Sequence, residues 1–575
     1  MTASDLAQLE RAKAVFGPGS GVAKLDLLRR LARSTLPTAK AVLRLHEALC
    51  FLRAHPDDES VLAQVETMLA DFALRRDLRR HRRALADSGI AGTTLRYSFF
   101  ANTARWLSRR FPGALRVVWR GYTNDALLSQ RLPLFASWPE TPGLDEVDLP
   151  ANEWVRRLAG PGTSDADFLV ERCARLGATE QERETFFEEL ELDFELDLVP
   201  AGGLPTRSTA HLPGRPVHFQ SAPLRRERPD LRAELRRRHR EIQVDESTGA
   251  SIVTLAREAM VLRHRDLDAF AYGDPRDVRL FDCGDGLEFA VIGMKPERRL
   301  LLEAVHAYVT LKNGVPIGYV LTSGLFGSSE VAYNVFDTWR GGEAGLVYGR
   351  VLGVTKQLYG SDTFTIYPYQ LGGEGNTEGL KSGSWWFYQK LGFRARDPGV
   401  LALMERELAA MAKGKGHRSS IATLKALAEH NVYWSAGRAR DDVIGVFPLA
   451  NIGLAITDLL AKRFGADRER GEDVCADEAA DLCAVRGFRK WDENEQLWWR
   501  RWSPLILLLP GITSWTAAQR CALVDVVRKK GGRRESDYVR LLDAHRPLRR
   551  ALRQLAIGDQ RRISKSERPS TSGIS

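Results

Sequence analysis

The chain reads as an α+β protein: a mixed, mostly antiparallel sheet with helices over residues 246–400, flanked by N- and C-terminal all-helical regions. Three observations predict this. Short runs rich in β-branched and aromatic residues follow one another at Val278–Asp282, Leu287–Gly293, Leu301–Lys312, Pro316–Phe326 and Glu330–Phe336. The dipeptides Asp285-Gly286 and Asn313-Gly314, which suit tight hairpin turns, lie between runs. The flanks instead repeat apolar residues at helical spacing, and 575 residues exceed what one hydrophobic core serves.

The elements follow in order. Residues 1–197 read as mostly helical. Leu43, Leu45, Ala48, Leu49 and Leu52 form one stripe, and Val61, Val65, Leu69 and Phe72 another, with Pro56 and an acidic cap between them. Phe99–Arg110 and Asp165–Leu176 read as further helices, and Leu115–Trp119 as a strand. The acidic run Glu180–Asp197 reads as an exposed helix, its carboxylates too evenly spread to converge on a metal. Six prolines between 198 and 230 mark a linker, and Leu231–Ile242 reads as a basic helix that completes it to residue 245. Ile252–Phe270 is the helix that opens the β-rich module. Ala344–Tyr359, with Val347, Val351, Val354 and Leu358 on one face, follows its strands. Thr363–Tyr369 then reads as a strand and Ser382–Leu391 as a helix, before a helical region at 401–557 and a disordered Ser-, Lys- and Arg-rich tail at 558–575.

Composition bounds the function. Hydrophobic residues at 44% and charged residues at 27% suit a globular, non-membrane protein. The start carries no apolar export segment, and Trp502–Ile512 is too short to span a bilayer, so a cytoplasmic location is expected. The net charge of +10 invites a nucleic-acid reading. Its arginines are interleaved with Asp and Glu, and the basic segments Arg75–Arg83 and Arg236–Arg240 lack interspersed aromatics, so nucleic acid is not the expected partner. Six cysteines without a C-x-x-C pair read as reduced thiols. Ala54–Glu59 spells A-H-P-D-D-E, a string also found in PIG-L-type zinc deacetylases. Here it lies between two helical stripes with no second histidine motif downstream, so a helix–helix turn is expected and no metal site.

The chemistry-bearing stretch is Val335–Phe393. Val335-Phe336-Asp337-Thr338-Trp339-Arg340-Gly341-Gly342-Glu343-Ala344-Gly345 reads as a strand end, a glycine turn and a helix start, where backbone N–H groups and the helix dipole favour phosphate. Downstream, Tyr388, Lys390, Gly392 and Phe393 end a short helix. Together these resemble the GNAT superfamily of acyl-CoA-dependent N-acyltransferases, over roughly a quarter of the chain. Its pyrophosphate turn has the form V-x-P-x-Y-R-G-x-G-x-G/A, and its later helix A-x-x-x-Y-x-K-x-G-F. Glu343 departs from the turn pattern by replacing its first motif glycine.

The resemblance implies a set of roles. Acetyl-CoA or another acyl-CoA would be held by Arg340, Gly341, Gly342, Ala344 and Gly345, with Asn376 standing in for a helix-start asparagine. The Val335 and Phe336 backbone would lie beside the thioester, on a strand that splays from its neighbour. Tyr388 would protonate the departing thiolate, and Glu378, preferred over Glu374 and Glu330, would take the amine's proton. The expected activity is acetyl transfer to a small-molecule or protein amine by direct attack in a ternary complex. The alternative is a non-catalytic scaffold of the same fold, with Glu343 capping a turn that has lost its cofactor.

Overall fold

The computed structural model describes residues 2–198, 206–414 and 416–558. It holds two sheets. The smaller joins β1 (Thr94–Tyr97), β2 (Leu115–Val117) and β3 (Phe194–Asp197) in the antiparallel order β1-β3-β2. The larger has nine strands: β4 (Arg240–Ile242), β5 (Gly273–Asp282), β6 (Leu287–Met294), β7 (Ala304–Lys312), β8 (Val315–Leu325), β9 (Ser328–Val335), β10 (Thr363–Ile366), β11 (Arg394–Ala395) and β12 (Val432–Ser435). Their order is β11-β12-β10-β9-β8-β7-β6-β5-β4. Every neighbouring pair is antiparallel except β9 and β10.

Hairpin chemistry sets the central register. Asn313 and Gly314 both take positive φ, 49° and 75°, which is what a two-residue turn matching strand twist requires. The β7–β8 pairing then runs from Lys312↔Val315 to Ala304↔Gly324. Strand alternation separates two cores. On one face, Tyr308 reaches the helix Ala344–Tyr359, its hydroxyl 3.1 Å from Thr355 Oγ1. On the other, Ala307, Val309 and Leu311 join a cluster with Ile252, Ala256 and Met260 of the helix Glu246–Val261 and with the N-terminal helices.

Close backbone approach ties the linker to the first face. Gly345, Gly349 and Gly353 form a stripe along the helix Ala344–Tyr359, and the segment 227–239 lies against it. A Cβ on Gly353 would meet His239 Nε2 at 2.9 Å and the Glu234 carbonyl at 3.0 Å. Beside the stripe, Arg350 pairs with Glu234 in a nearly solvent-free contact.

The C-terminal helices are bound to the sheet through buried charge. Lys530 and Glu535 pair at 2.5 Å with both side chains at 0% exposure. Arg299 Nη1 donates to the Lys530 and Gly532 carbonyls at 2.6 Å, and the Val305 amide donates to Glu535 at 3.2 Å. Trp498, Trp499 and Trp502 are fully buried around this junction. The indoles of Trp498 and Trp502 donate to the Pro296 and Leu301 carbonyls.

Several expectations change. The N-terminal region is not all-helical, because β1–β3 form a sheet there, and β3 takes the end of the acidic run: in Phe194-Glu195-Leu196-Asp197 the apolar residues alternate inward. The C-terminal region is not all-helical either, because β12 inserts between β10 and β11, so the sheet extends past residue 400. The basic helix stops at Arg236, and Arg240–Ile242 becomes an edge strand paired with β5. The helix expected over Ile252–Phe270 breaks near His264, whose φ is 53°. β10 ends at Ile366 because Pro368, which has no N–H, starts a helical turn. Asp57 of the A-H-P-D-D-E string pairs with Lys24 at 2.7 Å, while Asp58 caps the next helix through the Val61 amide. All six cysteines are free, and Cys521 is exposed. No helix among the described residues is long and apolar enough to cross a membrane. The linker prolines Pro200 and Pro205 and residues 559–575 of the expected tail lie outside the described residues.

Lys530→Met strands a buried carboxylate and is expected to cost about 3–5 kcal/mol, read as a lower urea midpoint by tryptophan fluorescence. Adding Glu535→Leu should recover much of that loss.

Candidate functional site

The site is set by where a strand pair stops. β9 pairs with β8 along its whole length, from Leu325↔Ser328 to Gly318↔Val335. On its other side it pairs with β10 only at Ser328, Ser329 and Glu330. Among the described residues the stretch 331–335 therefore has no strand neighbour on that edge, and the sheet opens there. Unpaired edge groups need partners, and a side chain from the first sequence motif supplies one. The Tyr388 phenol lies beside the Tyr333 backbone. Arg340 Nε donates to the Val335 carbonyl at 3.1 Å.

Tyr388 is 3% exposed and sits in an aromatic cluster, with ring centroids 5.5 Å from Tyr348 and 5.7 Å from Phe393. Burial pushes its phenol well above the usual range, with the Tyr333 backbone opposing, so the group stays protonated at neutral pH.

Beyond β9 the chain turns through Phe336–Trp339. The Phe336 amide returns to the Ile317 carbonyl at 3.0 Å, and the Arg263 guanidinium lies 3.9 Å from the Phe336 ring. The N-terminal helices grip this turn: Thr338 Oγ1 donates to Glu47, which Arg207 also holds at 2.7 Å. Gly341 takes φ 79°, and the Gly342 amide bonds the Trp339 carbonyl. The helix then starts at Ala344. The amides of Ala344, Gly345 and Leu346 have no protein acceptor among the described residues, as expected of a first helical turn.

Glu343 does not face that cradle. Its carboxylate accepts from the Arg225 amide at 3.1 Å and lies 3.7 Å from Lys312 Nζ. The hollow beneath the turn, lined by His55, Lys312, Trp339, Glu343 and Val347, is narrow, about 30 Å³, room for a water or two. Burial, with Lys312 nearby, pushes the His55 imidazole down to about 3, so it is neutral. Side chains therefore fill the inside of the turn, and only the partly exposed 342–346 side is open to an anion.

Two expected site residues have other work. Asn376 caps the helix Thr377–Ser382, accepting from the Gly379 amide at 2.9 Å and donating to the Tyr369 carbonyl at 2.7 Å. Both ends of its amide are used locally, so it does not stand in for a cofactor-binding asparagine. Glu378 is clamped between Arg265, at 2.8 Å, and Arg340. Burial raises its carboxyl, but the two arginines outweigh this and the net shift is downward, which makes a poor base. Glu374 is exposed.

The more basic carboxyl is that of Glu330. It stands three residues before Tyr333 on β9 and so points to the opposite face. Burial, then the neighbouring Glu303 carboxylate, pushes Glu330 up to about 7. Around it lie half-buried Val305, Tyr319, Leu321 and Tyr367 on β7, β8 and the end of β10. A carboxylate inside a strand run was the available signal, but its neighbour Glu303 is distant in sequence.

A carboxyl raised in the folded state takes up protons on folding between its unfolded value and about 7. Its contribution favours the fold below the unfolded value and is lost as pH rises through about 7. Glu330→Gln should therefore be more stable than wild type at pH 8, by about 2–3 kcal/mol, and equal to it near pH 4, measured as urea midpoints across pH. Protein-family models, curated proteins and solved structures were each compared with the chain, and none matches.

Proposed function

We propose that the protein transfers an acyl group from an acyl-CoA to an amine, in the manner of the GNAT-like acyltransferases its motifs resemble. The observation that carries this reading is the open edge of β9 at 331–335, with the Tyr388 phenol set against it and the unpartnered amides of Ala344, Gly345 and Leu346 at its end. An extended thioester arm lying in that opening would take over the Val335 carbonyl that Arg340 now holds, and its diphosphate would reach the helix start.

The chemistry then follows from protonation states. The neutral amine attacks the thioester carbonyl from the Glu330 face. Carbon–sulfur cleavage releases a thiolate, which takes the Tyr388 proton. Glu330, poised near 7, accepts the proton lost by the amine nitrogen. The attacking and leaving groups are thus served from opposite faces of one strand. Acetyl-CoA is the simplest donor, and the acceptor is a small-molecule or protein amine.

One observation favours the second reading, a non-catalytic scaffold. The interior of the turn is narrowed by the Glu343–Lys312 pair, and Arg340 is engaged by both Asp337 and Glu378. Calorimetric titration of the full chain with acetyl-CoA and longer acyl-CoAs separates the two. Saturable heat that Arg340→Glu abolishes supports transfer, and no heat with any of them supports the scaffold. If binding is found, Tyr388→Phe should bind as wild type but turn over about a hundredfold more slowly. Glu330→Gln should lose the rate limb near pH 7.

A further inference from the structure

The helices beside the small sheet line an open groove of about 480 Å³, within the size range of small-molecule sites. The helices Ala101–Arg110, Asp165–Cys173 and Glu180–Glu188 form its walls, and Lys295, just after β6, closes one end. The floor is apolar: Trp106, Val170, Cys173 and Phe187. Burial pushes the Cys173 thiol up to about 12, so it is an inert wall rather than a nucleophile.

Its charges do not balance internally. Five cations line it, but Arg109 is met by Glu171 at 3.4 Å and Arg110 by Glu258 at 3.2 Å. Of the two lining carboxylates, Glu184 is taken by Arg298 at 2.5 Å and by the Tyr272 hydroxyl. Glu180 alone is left to face three uncommitted cations. Arg183 donates only to the Gly177 carbonyl, at 3.2 Å. Arg105 and Lys295 have neither a hydrogen bond nor an ion pair among the described residues. Arg105 Nε is moreover buried with no acceptor among the described residues. A buried guanidinium N–H without a partner is costly, and a carboxylate or phosphate matches its planar fork.

We propose that this groove is a binding site for a small organic anion, with a carboxylate or phosphate head held by Arg105, Arg183 and Lys295 and an apolar body lying on Trp106 and Phe187. The site is separate from the β9 opening and does not depend on acyl transfer. A ligand there touches both the helices around the small sheet and the β6–β7 connection, so it braces one on the other.

The test uses two fluorescent probes on the full chain: 1-anilinonaphthalene-8-sulfonate, and N-phenyl-1-naphthylamine, the same body without the charge. The sulfonate should occupy a saturable site whose Kd rises about tenfold or more in Arg105→Met and in Arg183→Met. Arg105 makes no hydrogen bond or ion pair among the described residues, and the exposed Arg116→Met serves as a control that leaves binding unchanged. The uncharged probe should bind more weakly and equally to all variants. Benzoate and phenyl phosphate as competitors distinguish the two head groups. No saturable sulfonate binding, equal affinity in wild type and Arg105→Met, or equal binding of the two probes would overturn the proposal.

Discussion

Three residues of parallel pairing hold the two halves of the large sheet together. Ser328, Ser329 and Glu330 against Thr363, Phe364 and Thr365 are the whole of the β9–β10 ladder. A junction this short needs help, and a collar of polar contacts surrounds its closed end. The Asp362 amide donates to the Gly327 carbonyl at 2.9 Å, and Ser329 and Ser361 bond at 2.7 Å. The Ile444 amide donates to Ser328 Oγ at 2.9 Å, while its carbonyl accepts from Thr365 Oγ1 at 2.8 Å. Arg440 gathers the Phe326 and Gly327 carbonyls with Asp362 and Asp442. Pairing is therefore rigid at one end of β9 and absent at the other, and the opening between the strands follows from that asymmetry.

The far end of β9 is held from a different direction. Thr338, Glu47 and Arg207 bolt the following turn to the N-terminal helices, and Lys312 fixes Glu343 from below. A strand anchored at both ends but unpaired along one middle edge presents hydrogen-bonding groups without being free to collapse on its neighbour. The Val335 carbonyl there is held by a side chain, Arg340, and a side chain can rotate away at far lower cost than a strand can unzip. That makes the edge exchangeable while the framework stays fixed.

The central strands and the helix Ala344–Tyr359 were legible in the sequence because their signals are local. Alternating β-branched runs, two hairpin dipeptides and a Val347–Val351–Val354–Leu358 stripe each declare themselves within a few residues. β12 was not legible. Val432-Tyr433-Trp434-Ser435 is four residues among helices and becomes a strand only because β10 and β11 leave a slot between them. The choice between Glu330 and Glu378 was equally hidden. Two arginines, one of them Arg265 far upstream, hold Glu378 ionised, whereas Glu303 across the sheet raises Glu330. Motif residues on the turn itself, Val335, Phe336, Arg340, Gly341, Gly342, Ala344 and Gly345, do come together in space, because they are contiguous in the chain. Asn376, assigned by analogy of position, does not join them.

The late arrival of β12 has a consequence for how the chain is made. As the protein leaves the ribosome, β10 can dock on β9 as soon as it emerges, but its other flank stays bare until Val432–Ser435 has been translated. Thr363–Ile366 is a fully buried apolar and threonine-bearing run, so for that interval the nascent chain displays a sticky, unpaired ribbon. Stalling between residues 366 and 432 would expose it longest, which makes that span the stage at which the chain most needs a chaperone.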